Sequence, residues 1–444
     1  MSLIRTRLSI MMFLEFFIWG AWYPFVFGYL PDIHFDGDQQ FWVLAGFNIA
    51  AIVAMFFSTQ FADRNFAAER FLAVSQLIGG VSMIALAMTK SFWPFMIFMY
   101  LHCLLYVPTI SITNSIAFAN VKDAQKDFGL IRLWGTIGWI AASWPFVLLF
   151  ADWSAIQAKV AALGHPAGAI EYLGFVLGTP KTGETLIKAK SYTFLVAGIA
   201  SLVLAAFSLA LPHTPPKPAA KGESSFAWLE AAKLLRVPFM LVLFFVTFID
   251  STVHQFYFFW AERYLGSIHI PANWIMPAMS VGQFAEIGTM AILGLFLKRL
   301  GWRWTMVIGV LGHAARFGIF AMFPIPAVAV AANVLHGICY AFFFATVYIF
   351  VDEFFPKDAR SSAQGLFNLL ILGIGPLLGN FLGTRLGAVY KITLPSGDDS
   401  FNFARMFLLP AGAALIAATI LALLFHPPEK SADATEGKPA KLPH

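Results

Sequence analysis

The chain reads as long apolar runs broken by short polar turns. A helix needs about 20 mostly apolar residues to cross a hydrocarbon core of about 30 Å, and runs of that length recur from end to end. In the first half they fall at residues 8–30, 41–61, 71–88, 93–119, 130–150 and 192–211. In the second half they fall at 238–264, 274–297, 302–323, 327–351, 361–386 and 403–425. Backbone polar groups in lipid must be satisfied within the spanning structure. The pattern therefore predicts an all-α membrane protein of about twelve transmembrane helices in two bundles of about six. The expected organisation is a first bundle over 1–212, with a longer polar loop at 151–190, then a connector bearing proline and lysine at 213–237. A second bundle follows over 238–425, and 426–444 is a polar tail without periodicity.

Composition agrees with that pattern. Of 444 residues, 59% are hydrophobic and only 12% charged, against about 25% charged in soluble domains. Such a chain could not cover its own surface in water, so lipid is its solvent. The formal charge of +5 does not point to nucleic acid, because the basic residues sit in turns between apolar runs. Lys and Arg concentrate on the side shared by the N-terminus, the connector and the tail, which predicts both termini in the cytoplasm. The first turn on the opposite side, 31–40, carries Asp32, Asp36 and Asp38 and no Lys or Arg. Arg5 and Arg7 precede an apolar stretch too long for a cleaved signal, so it is expected to stay as the first span. The two cysteines, Cys103 and Cys339, each lie inside an apolar run and offer neither a disulfide framework nor a metal site.

Ionisable and hydrogen-bonding groups at membrane depth are costly and tend to face a cavity or a partner. Helical spacing decides which of them share a face. Glu15, Trp19 and Trp22 fall at i, i+4 and i+7, as do Arg132, Thr136 and Trp139, and Ser251, Gln255 and Phe258. Gln283 and Glu286 are i, i+3 neighbours, and His336 and Tyr340 are i, i+4. Most of these stripes join hydrogen-bonding groups to an aromatic plane, which suits a flat polar solute such as a nucleoside or a sugar. Each has a plainer alternative. Arg132 could be a topology anchor, Gln255 and Gln283 could bond a neighbouring helix, and the tryptophans could be packing. Glu15 could be a protonated carboxyl bonding a carbonyl. His102, His254 and His313 read as structural histidines, and Arg316 as paired with a carbonyl or carboxylate of the second half. No His-Glu-x-x-His or Gly-x-Ser-x-Gly occurs, and Gly373–Pro376 lacks an aspartate, so neither an enzyme, a cofactor nor a metal is expected.

Two basic turns occupy corresponding places in the halves. Phe61-Ala62-Asp63-Arg64 with Glu69-Arg70 follows the second run, and Leu297-Lys298-Arg299-Leu300-Gly301-Trp302-Arg303 follows the eighth. They resemble the gating turns of the major facilitator superfamily, with Asp63, Arg64, Arg70, Arg299 and Arg303 as the gating residues. Gly375, Gly379 and Gly383 recur every fourth residue, a spacing that lets helices approach closely.

A narrower resemblance rests on Ile131-Arg132-Leu133-Trp134-Gly135-Thr136-Ile137-Gly138-Trp139, which is similar to the fifth-span motif of the bacterial nucleoside:proton symporters. Further matches are Trp19-Gly20, Tyr106-x-Pro108-Thr109 with Asn114, Leu211-Pro212-His213, Gln283-x-x-Glu286, and Arg360-x-Ser362-Ala363-Gln364-Gly365. They keep their order across nearly the whole chain. The resemblance implies a major facilitator fold and nucleoside import driven by a proton gradient; a monomer in the bacterial inner membrane, working by alternating access, is the accompanying expectation. Carried over residue by residue, the solute would meet Arg132, Thr136, Gln255, Gln283 and Glu286, with Trp139 in place of a phenylalanine. Trp19, His336 and Tyr340 complete the expected site, and Glu286 and Glu15 are the candidates for proton coupling. Three positions depart from the family: an expected asparagine is Phe258, an expected tyrosine is His336, and an aspartate expected after Tyr340 is Ala341. These departures motivate the alternatives: a permease of the same fold for a sugar or a modified nucleoside, or a sensor that binds without transport.

Overall fold

The computed structural model describes residues 3–54, 65–121, 124–216, 234–354, 357–395 and 399–427. Its first helices are α1 (Leu3–Asp32), α2 (Gly37–Val53), α3 (Ala68–Met88), α4 (Phe92–Asn120) and α5 (Ala124–Ser143). Three short helices, α6 (Phe146–Leu149), α7 (Trp153–Ala161) and α8 (Ala169–Gly178), lead to α9 (Gly183–Ser208). The second half holds α10 (Pro238–Ser267), α11 (Ile275–Met322), α12 (Pro326–Ala332), α13 (Val334–Cys339) and α14 (Thr346–Phe354). It continues with α15 (Lys357–Asn368), α16 (Gly375–Val389), a hairpin of β1 (Lys391–Thr393) and β2 (Asp399–Phe401), and α17 (Phe403–Leu424). The strands pair antiparallel with Lys391 opposite Phe401.

Among the described residues nine helices are long and apolar enough to cross a membrane. The tally is lower than the runs in the sequence for local reasons. The described part of α2 has 17 residues, α5 carries Lys126, Asp127 and Arg132, and α11 holds two runs joined at Gly301. Gly301 has φ 72° and ψ 179°, a conformation open to a residue without a Cβ. The helix is kinked there, inside one of the two expected gating turns. In that turn Arg299 is exposed and Arg303 lies 5.4 Å over the Trp304 ring. Arg70 is exposed in the first turn of α3, whereas Asp63 and Arg64 lie outside the described residues, as do most of the connector and the tail.

Helix starts follow the local chemistry. Asp36 caps α2 by accepting from the Gln39 amide at 2.8 Å, while the Gln39 side chain accepts from the Asp36 amide at 3.1 Å. Asn402 accepts from the Arg405 amide at 3.1 Å and starts α17.

The loop at 151–190 has more structure than its polar composition suggests. Ala151, Ile156 and Val176 bury a small core with Val160 and Phe175 packed on it, and α9 begins at Gly183, earlier than its apolar run. Backbone bonds from Asp152 to Thr179 (2.9 Å) and from Lys181 to Phe150 (2.7 Å) close its base.

The chain packs as two compact units, residues 1–218 with 258–280, and residues 219–257 with 281–444. In the first unit α1 packs on α5 and α9, and α3 on α4 and α9. Segment 258–280 is tied into that unit by charge. Lys190 Nζ lies 2.6 Å from Glu262 Oε1 and 2.7 Å from Asp32 Oδ2. Arg263 donates to the Phe27 carbonyl at 3.0 Å and to Gln40 Oε1 at 2.9 Å. A Cβ at Gly28 would overlap the Glu262 carboxyl, so glycine is required for this approach. In the second unit Gly375 and Gly379 bring α16 against α10. A Cβ at Gly375 would overlap the Ser251 hydroxyl, and one at Gly379 would lie 2.7 Å from Gln255 Cβ. The four-residue glycine spacing is thus a helix-crossing surface.

Candidate functional site

In the first unit the crossing of α1 and α5 brings together several of the candidate residues. It is set by glycines. A Cβ at Gly20 would lie 3.0 Å from the Trp139 carbonyl oxygen, and one at Gly138 would overlap the Phe13 carbonyl. The close crossing places the Arg132 guanidinium 4.0 Å over the Phe16 ring and sets Trp139 edge-to-face with Trp19 at 5.2 Å. Trp19 also stacks on Phe47 at 5.0 Å and meets Tyr23 at 5.8 Å. Its indole N–H is buried without a hydrogen-bond partner among the described residues. Thr136 is half-buried, one helical turn from both Arg132 and Trp139. A cation, a hydroxyl and an aromatic wall therefore share this part of the unit.

The stripe of Glu15, Trp19 and Trp22 divides. Trp19 joins Trp139, but Trp22 is buried against His102 (5.7 Å) and Phe194 (6.5 Å). Glu15 is fully buried and accepts from Gln76 Nε2 at 2.9 Å and from the Thr109 hydroxyl at 2.7 Å. Its backbone carbonyl takes the Tyr106 hydroxyl at 2.5 Å, and Ser201 bonds Gln76 Oε1 at 2.5 Å. Glu15 is thus held by neutral donors from α3 and α4, and among the described residues no carbonyl accepts from it, as its plainer alternative would have had it.

In the second unit glycines again set the spacing. A Cβ at Gly337 would overlap the Glu286 amide nitrogen, and one at Gly282 would lie 2.9 Å from His336 Cβ. The first arm of α11 and helix α13 therefore meet where Gln283, Glu286 and His336 sit. Gln283 is buried with 8% exposure, and its side chain makes no hydrogen bond among the described residues. Gln255 donates to Asn380 Oδ1 at 2.8 Å, so it has the neighbouring-helix bond that sequence allowed for it. Tyr340 opens a π-helical turn, Tyr340–Ala345, a distortion frequent at functional sites.

Beside this group lies a connected set of ionisable side chains. Asp250 Oδ1 is 2.8 Å from His313 Nδ1, and His313 Nε2 is 3.2 Å from His254 Nδ1. The His254 ring stacks on His336 at 4.9 Å. Arg316 donates to His336 Nδ1 at 2.8 Å and lies 3.8 Å over the Tyr257 ring, whose hydroxyl donates to Asn333 Oδ1 at 3.0 Å. Asp250, His313 and Arg316 are fully buried. These histidines, separate in sequence, thus meet in space, and among the described residues Arg316 bonds an imidazole and lies over a ring face rather than bonding a carbonyl or carboxylate. Ala341 points elsewhere: it is buried with Leu293 and Phe342 in an apolar cluster edged by Phe296, Leu297, Ile308 and Ile338.

The sequence profile described as nucleoside H+ symporter matches residues 1–184 and 167–430. The chain belongs to the nucleoside H+ symporter family. It is 34% identical, over 94% of its length and 92% of the relative's, to YegT of Escherichia coli K12, a protein named as a nucleoside transporter. It is 27% identical to the xanthosine permease of the same organism over 96% of this chain and 98% of that one. The crystal structure of the nucleoside transporter NupG superposes with a TM-score of 0.76 at 23% identity, covering 96% of this chain and 99% of that chain. The fold is that of major facilitator transporters, and the protein is a multi-pass membrane transporter of this family rather than an enzyme.

Sequence reading missed Asp250, the partner of His313, because it sits in an apolar run without a Lys or Arg at helical spacing. It also missed Tyr23 and Phe47, which extend the aromatic wall. The signal available was the ionisable residue itself: Asp250 and His254 are i, i+4 on α10, and His313 and Arg316 are i, i+3 on α11.

Proposed function

We propose that this member of the nucleoside H+ symporter family imports nucleosides with protons by alternating access, working as a monomer in the bacterial inner membrane with both termini in the cytoplasm. The observation that carries the reading is Arg132 over Phe16 beside the Trp19–Trp139 pair. It combines a fixed cation, which bonds hydroxyls and ring acceptors, with aromatic faces that stack on a base. Thr136 adds a hydroxyl. From the second unit Gln255, Gln283, Glu286, His336 and Tyr340 supply amide, carboxylate, imidazole and phenol groups. Arg70, Arg299 and Arg303, with Asp63 and Arg64, act in the gating turns. The names of YegT, the xanthosine permease and NupG all support a nucleoside as the solute.

Proton coupling requires a buried group that changes charge during the cycle. Glu286 and Glu15 are the two carboxylates that sequence singles out for it. Glu15 takes hydrogen bonds on both oxygens, and Glu286 lies where the first arm of α11 meets Gly337.

The test is uptake of labelled uridine and xanthosine in a bacterial host without its own nucleoside transport. Accumulation that collapses with a protonophore, and is lost in Arg132→Ala, supports the reading. Uptake of neither nucleoside, or competition by sugars alone, overturns it. A melting temperature of the Arg132→Ala variant that rises with uridine as in the parent would return Arg132 to a topology anchor.

A further inference from the structure

The second unit holds a buried carboxylate whose partners are histidines in series, and this arrangement has a direction. Asp250 bonds His313 through Nδ1, and His313 bonds His254 through Nε2. Both ring nitrogens of His313 are occupied, so it cannot ligate a metal, and no metal-holding group of His, Cys, Asp or Glu occurs among the described residues. At the far end His254 stacks on His336. His336 accepts from Arg316, which fixes its Nδ1 as the unprotonated nitrogen.

We propose that Asp250, His313 and His254 form the site that takes up and releases the transported proton. This rests on the symport reading above. In the resting form Asp250 is a carboxylate accepting the His313 Nδ1 proton, and His313 Nε2 accepts the His254 Nδ1 proton. A proton arriving at His254 Nε2 moves the His254 Nδ1 proton to His313 Nε2 and the His313 Nδ1 proton to Asp250 Oδ1. One proton enters, two hydrogen bonds reverse direction, and Asp250 ends as a neutral acid. Release runs the same transfers backwards.

Two further observations favour a working site over a structural one. Asp250 Oδ2 and the Arg316 Nε and Nη2 atoms are buried without hydrogen-bond partners among the described residues. Half-satisfied buried networks are costly and call for a reason, and a second protonation or ligand state supplies one. The carboxylate and the cation also sit in one network, Asp250 through His313 and His254, Arg316 through His336. The site that would change charge and a permanent cation are thus joined through neighbouring side chains. His336, a solute-binding candidate, touches both the relay and Arg316, so solute contact and proton affinity share a side chain.

The titratable groups around the relay are few. Helix α10 contributes Tyr257, the second arm of α11 contributes Arg316, and α13 with its π turn contributes His336, Cys339 and Tyr340. The first arm of α11 brings Glu286 against Gly337, and α16 presents Gly375, Gly379 and Asn380 to α10. The relay also explains how the chain does without an aspartate at 341, where Ala341 faces apolar neighbours.

The test uses the full chain in proteoliposomes, with labelled uridine as solute and pyranine inside to report pH. The variants are Asp250→Asn and His313→Gln, with His254→Gln at the end of the series remote from Asp250 and Glu286→Gln for comparison. Wild type should show counterflow exchange, gradient-driven accumulation and uridine-evoked lumenal acidification. The relay variants should keep exchange and lose accumulation and acidification, and the pH dependence of exchange should flatten. Accumulation and acidification at wild-type level in the relay variants overturn the proposal. So does loss confined to Glu286→Gln, and so does loss of exchange in all three relay variants at an unchanged melting temperature. If Asp250→Asn does not fold, His254→Gln decides. Wild type that neither exchanges nor accumulates uridine overturns the nucleoside reading itself, a result distinct from any failure of the relay.

Discussion

Arg132 lies 4.0 Å over the ring of Phe16, so the cation of the fifth-span motif is aimed by an aromatic residue of the first helix. A cation over a ring face is worth about 0.5–2 kcal/mol depending on desolvation. Phe16→Leu keeps the apolar volume and removes the quadrupole that orients the guanidinium. We expect the apparent KM for uridine to rise about fivefold, the equivalent of about 1 kcal/mol, with the maximal rate little changed. Initial uptake rates across a concentration series measure this. An unaltered KM would mean that Arg132 is held by other forces or does not meet the solute.

The crossing that creates this contact depends on absent side chains. At Gly138 a methyl group would overlap the Phe13 backbone carbonyl, whereas at Gly129, on the same helix, nothing lies within 4 Å. Gly138→Ala should therefore cost about 1–3 kcal/mol through overpacking and reduce uptake as α5 moves off α1. Gly129→Ala should be neutral or stabilising by about 0.5–1 kcal/mol, because alanine is the better helix former. Melting curves in detergent give the stability difference. Equal effects at the two positions would contradict the packing described.

The fold was legible because hydrophobic run length is a strong signal in lipid. The motif around Arg132 was legible for a local reason: its spacing places Arg132, Thr136 and Trp139 on one face, whereas the close crossing at Gly138 was not read from it. Two kinds of feature were not legible. One is contact between distant helices: Asp250 with His313, or Lys190 with Glu262, are far apart in sequence, and periodicity within a helix says nothing about which helices become neighbours. The other is a change of helical phase. Trp22 matched the Glu15 and Trp19 spacing yet faces His102, because a span inside a bundle is apolar all round and its stripe is wide.

Lys190 joins Asp32 and Glu262, and the side chains of Lys190 and Glu262 are only 9% and 7% exposed. Removing one partner of a buried ion pair leaves an uncompensated charge, at a cost of about 3–5 kcal/mol. Lys190→Met should lower the melting temperature markedly. The double variant with Glu262→Gln should recover part of that loss, since the more buried of the two orphaned carboxylates is then gone. A double variant no more stable than Lys190→Met would show that the pair contributes through packing alone.

Asp152 begins α7 in the loop between the spans. Its carboxylate accepts from the Ser154 hydroxyl at 2.6 Å and the Ala155 amide at 3.1 Å. These bonds hold its pKa below the ordinary aspartate value, the Ser154 hydroxyl contributing most. Because the folded pKa is depressed, the cap's contribution is full above the unfolded value and is lost as pH falls through the folded one. Amide protection in the first turn of α7, taken relative to intrinsic exchange at each pH, should be high at neutral pH and fall in acid. Asp152→Ala should show the low protection at both. The same profile in the variant and the parent would remove the cap.

Ala341 occupies the place where relatives of this chain are expected to carry an aspartate, and the natural guess is that restoring the acid improves transport. The structure argues the opposite. Ala341 is fully buried with Leu293 and Phe342, whereas the residue of the same π turn that meets His254 is Phe344, at 5.1 Å. A carboxylate at 341 would enter an apolar cluster with no donor among those neighbours. An aspartate at the centre of a membrane helix costs about 2.5–3.5 kcal/mol even before packing is considered. Ala341→Asp should therefore reduce the amount of folded protein in the membrane and give no gain in uridine uptake per molecule. Uptake normalised to membrane protein, measured with the melting temperature, separates these effects. A variant that folds normally and transports faster would show that position 341 turns toward the polar groups during the cycle, and would transfer the role proposed for Asp250 to that position.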